Sequence, residues 1–222
     1  MIQEQVKSKQ IPIPEKIITF LKSQNGERKF RKDTYSVTEL TNCLRNTFYK
    51  KNRFPAEVLS SNISELWSTV RGNMLHKLAN AYSWNELEGE IEITLDNGKK
   101  ITVCGRLDMY DPETKTIIDI KTTNGLEQKI ANNELPNIDH IFQIQSYGTI
   151  FSKIIPVDHL NLVYVDNSQI TTFEVSLENN YDWIKHRVSI LESSMESMKI
   201  PSAEIGSKCK FCRYQTLCNK EN

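Results

Sequence analysis

The spacing of apolar residues changes several times along this chain, and the changes divide it into elements. "EKIITFLKS" (15–23) predicts a short helix. Ser36 and Glu39 form a capping-box signal ahead of "VTELTNCLRNTFYKK" (37–51), which predicts a helix carrying Cys43. Asn62 and Glu65 repeat that signal. After them Ile63, Leu66, Val70, Leu75, Leu78 and Tyr82 recur at helical spacing, so a long amphipathic helix is expected over 63–82. From Glu90 the period becomes two. "EIEITL" (90–95), "ITVCGRLDMY" (101–110) and "TIIDIKT" (116–122) read as strands joined by the turns "DNGKK" and "DPETK". A helix is expected from Asn137 to Ser152, strands at 159–165 and 170–175, and a helix from about Glu178 to Met198. Helices, a three-stranded meander, a helix, a strand pair and a last helix read as an α/β domain with a mixed central sheet.

Composition narrows the class. With 222 residues, 38% of them hydrophobic and 25% charged, the chain can bury a real core, and one soluble domain with appendages is expected. No apolar run reaches membrane-spanning length, and the N-terminal stretch has no apolar core of a secretory signal, so a cytoplasmic protein is expected. The formal net charge is zero, which argues against a surface that binds nucleic acid everywhere. It leaves room for a local basic groove. The basic runs "GERKFRK" (26–32) and "RNTFYKKNR" (45–53) read most simply as solvated faces.

The chemistry gathers around "GRLDMYDPETKTIIDIKTT" (105–123). Side chains alternate along a strand. Asp119 and Lys121 therefore share one face of the second strand, and Arg106, Asp108 and Tyr110 one face of the first. Such a hairpin could bring Asp108, Asp119 and Lys121 within reach of each other. Two close carboxylates repel unless a proton or cation lies between them, and a divalent cation with oxygen ligands answers that need. A solvated Asp–Lys ion pair is the plain alternative, and D-x-K alone does not exclude it. Two other motifs add weight. "RGNMLH" sets Gly72 and His76 four apart on the long helix, where a glycine points to close packing. "QIQSY" sets Gln143 and Tyr147 four apart on a later helix, where both could face a substrate.

In this order His76, Asp108, Asp119-Ile120-Lys121 and Gln143/Tyr147 resemble the RecB-type branch of the PD-(D/E)xK nucleases, over residues 71–147. The resemblance implies a restriction-endonuclease-like core, about 62–177, within a single nuclease domain spanning 1–222. It implies that His76, Asp108, Asp119 and the Ile120 carbonyl hold Mg2+ or Mn2+, and that Lys121 acts in catalysis with Asp108 and Asp119. It places Gln143, Tyr147, Arg106 and Arg71 on the substrate side. The familiar Pro-Asp signature is absent from the first strand, and Asp119 stands where Glu is more usual.

The five cysteines are Cys43, Cys104, Cys209, Cys212 and Cys218, an odd number that argues against a disulfide framework. Three fall in the last fourteen residues with spacing C-x2-C-x5-C. Cys104 reads as a small core residue on its strand. Cys43, Cys209, Cys212 and Cys218 remain, and their spacing fits either a zinc ion or an iron–sulfur cluster, with zinc the reading that the cysteine chemistry alone favours. A lone cysteine before the nuclease motifs and three after them resemble the iron–sulfur RecB-like nucleases. These include AddB-type helicase–nucleases and the fourth numbered family of CRISPR-associated (Cas) proteins. The resemblance implies a [4Fe–4S] cluster joining about 34–55 to 178–222, a linkage that closes a very long loop. No P-loop of a helicase motor is present. The function implied is a metal-dependent exonuclease acting on single-stranded DNA ends, processing fragments for CRISPR spacers beside the Cas integrase complex. Cys43-Leu44-Arg45 replaces the usual Cys-Pro-Arg, which leaves open a virus- or plasmid-borne relative or a repair nuclease outside CRISPR. A zinc-stapled nuclease and a non-catalytic DNA-end-binding scaffold are the other readings.

Overall fold

The structure, a computed structural model, describes residues 13–23, 33–56, 67, 70–74 and 84–220. Its elements are α1 (Glu15–Ser23), β1 (Thr34–Ser36), α2 (Val37–Thr41), α3 (Leu44–Lys51), β2 (Trp84–Thr94), β3 (Lys100–Asp111) and β4 (Thr116–Thr122). They continue with α4 (Leu126–Ala131), α5 (Ile138–Phe151), β5 (His159–Val165), β6 (Ile170–Val175) and α6 (Tyr181–Ser197). A 3-10 turn (Ser207–Phe211) and α7 (Gln215–Lys220) close the chain. Residues 70–74 are also helical. The expected capping residues Asn62 and Glu65, and the rest of that long helix beyond Met74, lie outside the described residues.

The six strands form one mixed sheet, as the order of elements predicts. β3 pairs antiparallel with β2 along most of its length. On its other edge β3 takes two neighbours in succession. β1 runs parallel to it at Thr102–Cys104, and β4 antiparallel at Met109–Asp111. β4 then pairs parallel with β5, and β5 antiparallel with β6. The large core includes Leu40 and Leu44 from α2–α3, Ile93 and Val103 from the sheet, Ile144 and Ile150 from α5, and Val188 and Leu191 from α6. A second, small cluster of Met109, Ile120 and Val165 lies apart from it.

Several local features beyond the sequence reading shape the molecule. The single helix expected over 37–51 is two helices. The capping box holds as read, with Ser36 N–H donating to Glu39 Oε2 at 2.8 Å and Glu39 N–H to Ser36 Oγ at 3.2 Å. The helix then stops at Asn42, whose ψ of 168° is extended. Arg187 of α6 stabilises the break by donating to the Leu40 and Asn42 carbonyls at 2.8 and 2.7 Å. Next, β2 begins at Trp84, not Glu90. Last, Gly89 and Gly105 face each other in the β2–β3 ladder. A Cβ on Gly89 would stand 2.9 Å from the Phe151 ring, and one on Gly105 3.0 Å from the Tyr147 ring. The two bare positions let α5 press its rings onto the sheet. Gly72 shows no such crowding: its added Cβ would meet Thr122 Oγ1 at 3.9 Å, an ordinary contact, so the close packing expected there is not seen among the described residues.

Candidate active site

β3 changes its inward face just before the site. From Lys100 to Leu107 exposed or half-buried positions alternate with buried ones, and then Leu107, Asp108, Met109 and Tyr110 are all buried. Leu107 and Tyr110, one odd and one even, both belong to the large core. The face therefore switches between them. Glu86 lies opposite, between the Asn85–Met109 and Leu87–Leu107 pairs, and takes a left-handed φ of 51°. Backbone irregularity of this kind re-aims side chains and recurs beside functional sites. The result corrects the expected face: Asp108 turns inward with Tyr110, while the Arg106 side chain is 60% exposed and pairs with Glu86 at 2.9 Å, still on the lining of the same cleft.

β4 leaves β3 at the same point. Their paired residues end at Met109–Ile118, so the backbone of Asp119 to Thr122 has β5 on one side and, among the described residues, no strand ladder on the other. The Asp108 carboxylate fills that gap, its Oδ2 accepting the Ile120 N–H at 2.8 Å. Asp119 is 1% exposed, and its Oδ2 lies 2.7 Å from Lys121 Nζ. The expected trio of Asp108, Asp119 and Lys121 thus stands together at the parting of two strands. It opens into a cleft of about 940 Å3 that Gln143 and Tyr147 also line.

Gln143 is placed by α5, whose start is capped by Asn137 Oδ1 accepting from Asp139 N–H at 2.9 Å. Its Oε1 accepts from Lys121 Nζ at 2.9 Å, and its Nε2 donates to the Tyr147 hydroxyl at 2.9 Å and to Thr38 Oγ1 at 3.5 Å. Tyr147 is only 4% exposed and packs its ring on Gly105. Both residues line the cleft, and Gln143 also holds Lys121. Burial, reinforced by the Asp119 charge, pushes the Tyr147 phenol well above its ordinary pKa, so it stays protonated.

Arg71 donates to Asn124 Oδ1 at 2.8 Å and to the Thr123 carbonyl at 3.4 Å, beside the end of β4, and is not part of the cleft lining. His76 lies outside the described residues. Behind Lys121 the Tyr164 hydroxyl accepts the Asn137 N–H at 3.0 Å and bonds His140 Nδ1 at 2.7 Å. Burial, with Lys121 as the next contributor, lowers the His140 pKa to about 3, so its ring is neutral. Sequence reading missed this pair, and also Thr38 and the acidic run of β2, where Glu86, Glu88 and Glu90 line the cleft. The alternating "NELEGEIEIT" was the available signal for that run.

The cysteines divide between two places. Cys104 lies on β3 with its Sγ 3.5 Å from the Tyr35 carbonyl. Cys43 caps α3, and the tail packs against that same turn. Arg45 donates to Cys218 Sγ and Asn46 to Cys212 Sγ, each at 3.3 Å. Lys208, next to Cys209, pairs with Asp139 of α5 at 2.7 Å. None of the five cysteines forms a disulfide. Among the described residues no three His, Cys, Asp or Glu side chains converge as a metal-ligand set. Cys212 and Cys218 thus lie beside the helix that Cys43 begins, without the ligand geometry of a metal site. No helix among the described residues is long and apolar enough to cross a membrane.

A family model described as the PD-(D/E)XK nuclease superfamily matches residues 18–219. No curated protein sequence matches the chain significantly. Among solved structures, that of SSO0001 is similar over 91% of this chain and 93% of its own, with 24% identity and a TM-score of 0.67, a likeness of fold. A phage-related exonuclease from Haemophilus somnus 129PT is 16% identical over 70% of this chain and 80% of its own, with a TM-score of 0.41.

Proposed function

Because this chain belongs to the PD-(D/E)XK nuclease superfamily, we propose that it is a metal-dependent deoxyribonuclease degrading single-stranded DNA from its ends. Nucleases of this superfamily generally use divalent metals. Asp108, Asp119 and the Ile120 carbonyl are the oxygen donors that would hold such an ion. They suit it: two buried carboxylates share one pocket, and the Lys121 ammonium already meets one of them as a cation. When bound, the metal supplies charge that polarises the scissile phosphate and lowers the pKa of water. The chain's own groups do the rest. Asp108 pins the backbone of Ile120, Gln143 fixes Lys121, and the Lys121 ammonium stands ready to orient a water or a phosphate oxygen. The single observation that carries the reading is the pair of buried carboxylates, Asp108 and Asp119, with Lys121 where β3 and β4 part.

The contacts of Arg45 with Cys218 and of Asn46 with Cys212 bring the C-terminal tail to the segment that carries Cys43, which supports a [4Fe–4S] cluster on Cys43, Cys209, Cys212 and Cys218. That pairing of site and thiols favours a role in trimming DNA before CRISPR spacer integration, alongside the Cas integrase. The test is purified protein with end-labelled single-stranded DNA. Magnesium or manganese should support stepwise shortening, and EDTA should stop it. Protein made without oxygen should carry about four iron atoms per chain. Tight DNA binding with no cleavage under any metal would instead establish a scaffold, and one zinc per chain would replace the cluster.

A further inference from the structure

We propose that Thr38 is a positioning residue for Lys121, acting through the Gln143 amide. The catalytic consequence rests on the nuclease reading above, while the geometry stands without it.

An ammonium has only donors, so Gln143 must offer it the carbonyl oxygen of its amide. That oxygen lies 2.9 Å from Lys121 Nζ. The amide nitrogen at the other end has two protons to place. One goes to the Tyr147 hydroxyl at 2.9 Å and the other to Thr38 Oγ1 at 3.5 Å. Three partners thus hold one planar amide: a cation at its oxygen, two hydroxyls at its nitrogen. With Thr38 removed, the amide can turn about its last, soft torsion, and Lys121 loses a fixed acceptor.

Thr38 itself is held firmly. It lies inside the Ser36–Glu39 capping box, its carbonyl accepts the Asn42 N–H at 3.2 Å, and its branched Cβ restricts rotation. The short helix α2 lies against α5 through this hydroxyl contact and the shared core residues Leu40 and Ile144. Thr38 therefore brings a fixed point from the N-terminal segment to the lysine on β4.

The experiment has two arms on the full-length protein. In 15N-labelled protein without DNA, Thr38→Val should shift the Gln143 side-chain amide signals and speed their exchange, and Thr38→Ser should leave them as in wild type. In single-stranded DNA cleavage, Thr38→Val should lower kcat about fivefold with KM unchanged, the rate equivalent of one neutral hydrogen bond. Thr38→Ser should restore kcat, and Thr38→Val should add nothing in a Gln143→Ala background. Additive losses, or a raised KM with kcat intact, would overturn the proposal by placing Thr38 on the substrate. Unchanged Gln143 signals in Thr38→Val would overturn it whatever the kinetics. If wild-type protein degrades no DNA, the nuclease reading falls, and the amide signals still decide whether Thr38 fixes Gln143. Thr38→Ala replaces the valine variant if the latter does not fold.

Discussion

Two substitutions at Asp108 separate its structural work from its charge. Asp108 Oδ2 accepts the Ile120 N–H at 2.8 Å, and the two residues are 8% and 3% exposed. Asp108→Ala leaves that donor buried without an acceptor, which costs about 1–3 kcal/mol. A chain of this length loses about 2–4 °C per kcal/mol, so the melting temperature should fall by roughly 2–12 °C. Asp108→Asn keeps a carbonyl oxygen in the same place and removes the charge. It also removes the repulsion between two carboxylates that both act on the Tyr147 phenol. In metal-free buffer the asparagine variant should therefore melt at or above wild type. Magnesium or manganese should raise the melting temperature of wild type and leave that of Asp108→Asn unchanged, because only a ligand that binds the folded state stabilises it. Both variants should fail to shorten single-stranded DNA. The assays are calorimetry with and without metal, and cleavage of a labelled oligonucleotide. The reasoning is refuted if Asp108→Asn destabilises as much as Asp108→Ala, or if it retains cleavage.

Other perturbations test separate parts of the molecule. His140 is neutral when folded, with a pKa near 3 against an ordinary 6.5, because burial lowers it, Lys121, Lys208 and Lys129 act in the same direction, and Asp139 opposes them only in part. Between those two pH values the unfolded chain binds the extra proton, so stability is complete above about pH 6.5 and declines as pH falls, by up to about 1.4 kcal/mol per unit. Urea titrations at pH 7 and pH 5 should show a wider gap for wild type than for His140→Gln, and equal gaps would remove this assignment. Glu88 and Glu90 are exposed along the cleft. Glu88→Gln with Glu90→Gln should tighten DNA binding several-fold at low salt, and the gain should vanish near 0.5 M salt if it is electrostatic. Cys43→Ser should lower iron content and melting temperature together as Cys212→Ser does, whereas Cys104→Ser should change neither, and a brown Cys43→Ser protein would show that the fourth ligand lies elsewhere.

The sequence announced most of the sheet because alternation and turn residues are local signals. β3, β4, β5 and β6 lie within a residue or two of where "ITVCGRLDMY", "TIIDIKT", "HLNLVYV" and "ITTFEV" put them. The capping box of α2 was equally plain, since both partners lie within four residues. What escaped depends on partners far along the chain. The break at Asn42 has no glycine or proline to mark it, and it is held by Arg187 and Lys208, more than 140 residues away. The start of β2 was lost because Gly89 interrupts the alternation, yet pairing with β3 keeps those residues extended. The tight seat of α5 on Gly89 and Gly105 could not be read from either glycine alone, because it needs the register that sets them opposite each other.

At the site, period two made Asp119 and Lys121 neighbours and left the reach of Asp108 to the hairpin register. It also predicted that Arg106 would face the same way as Asp108, and there it fails, because the switch of face at Leu107–Asp108 has no local signature. That switch has a chemical consequence. β4 beyond Ile118 has no ladder toward β3, and in an extended strand the N–H and C=O of one residue point to the same side. Asp108 takes the Ile120 N–H from within the gap. The Ile120 carbonyl must then face the same gap, on the side of the Asp108 carboxylate. A strand fully paired on both edges would spend that carbonyl on its neighbour. The early parting of β3 and β4 leaves it outside that ladder, so one local defect both aims Asp108 and turns the Ile120 carbonyl to the gap.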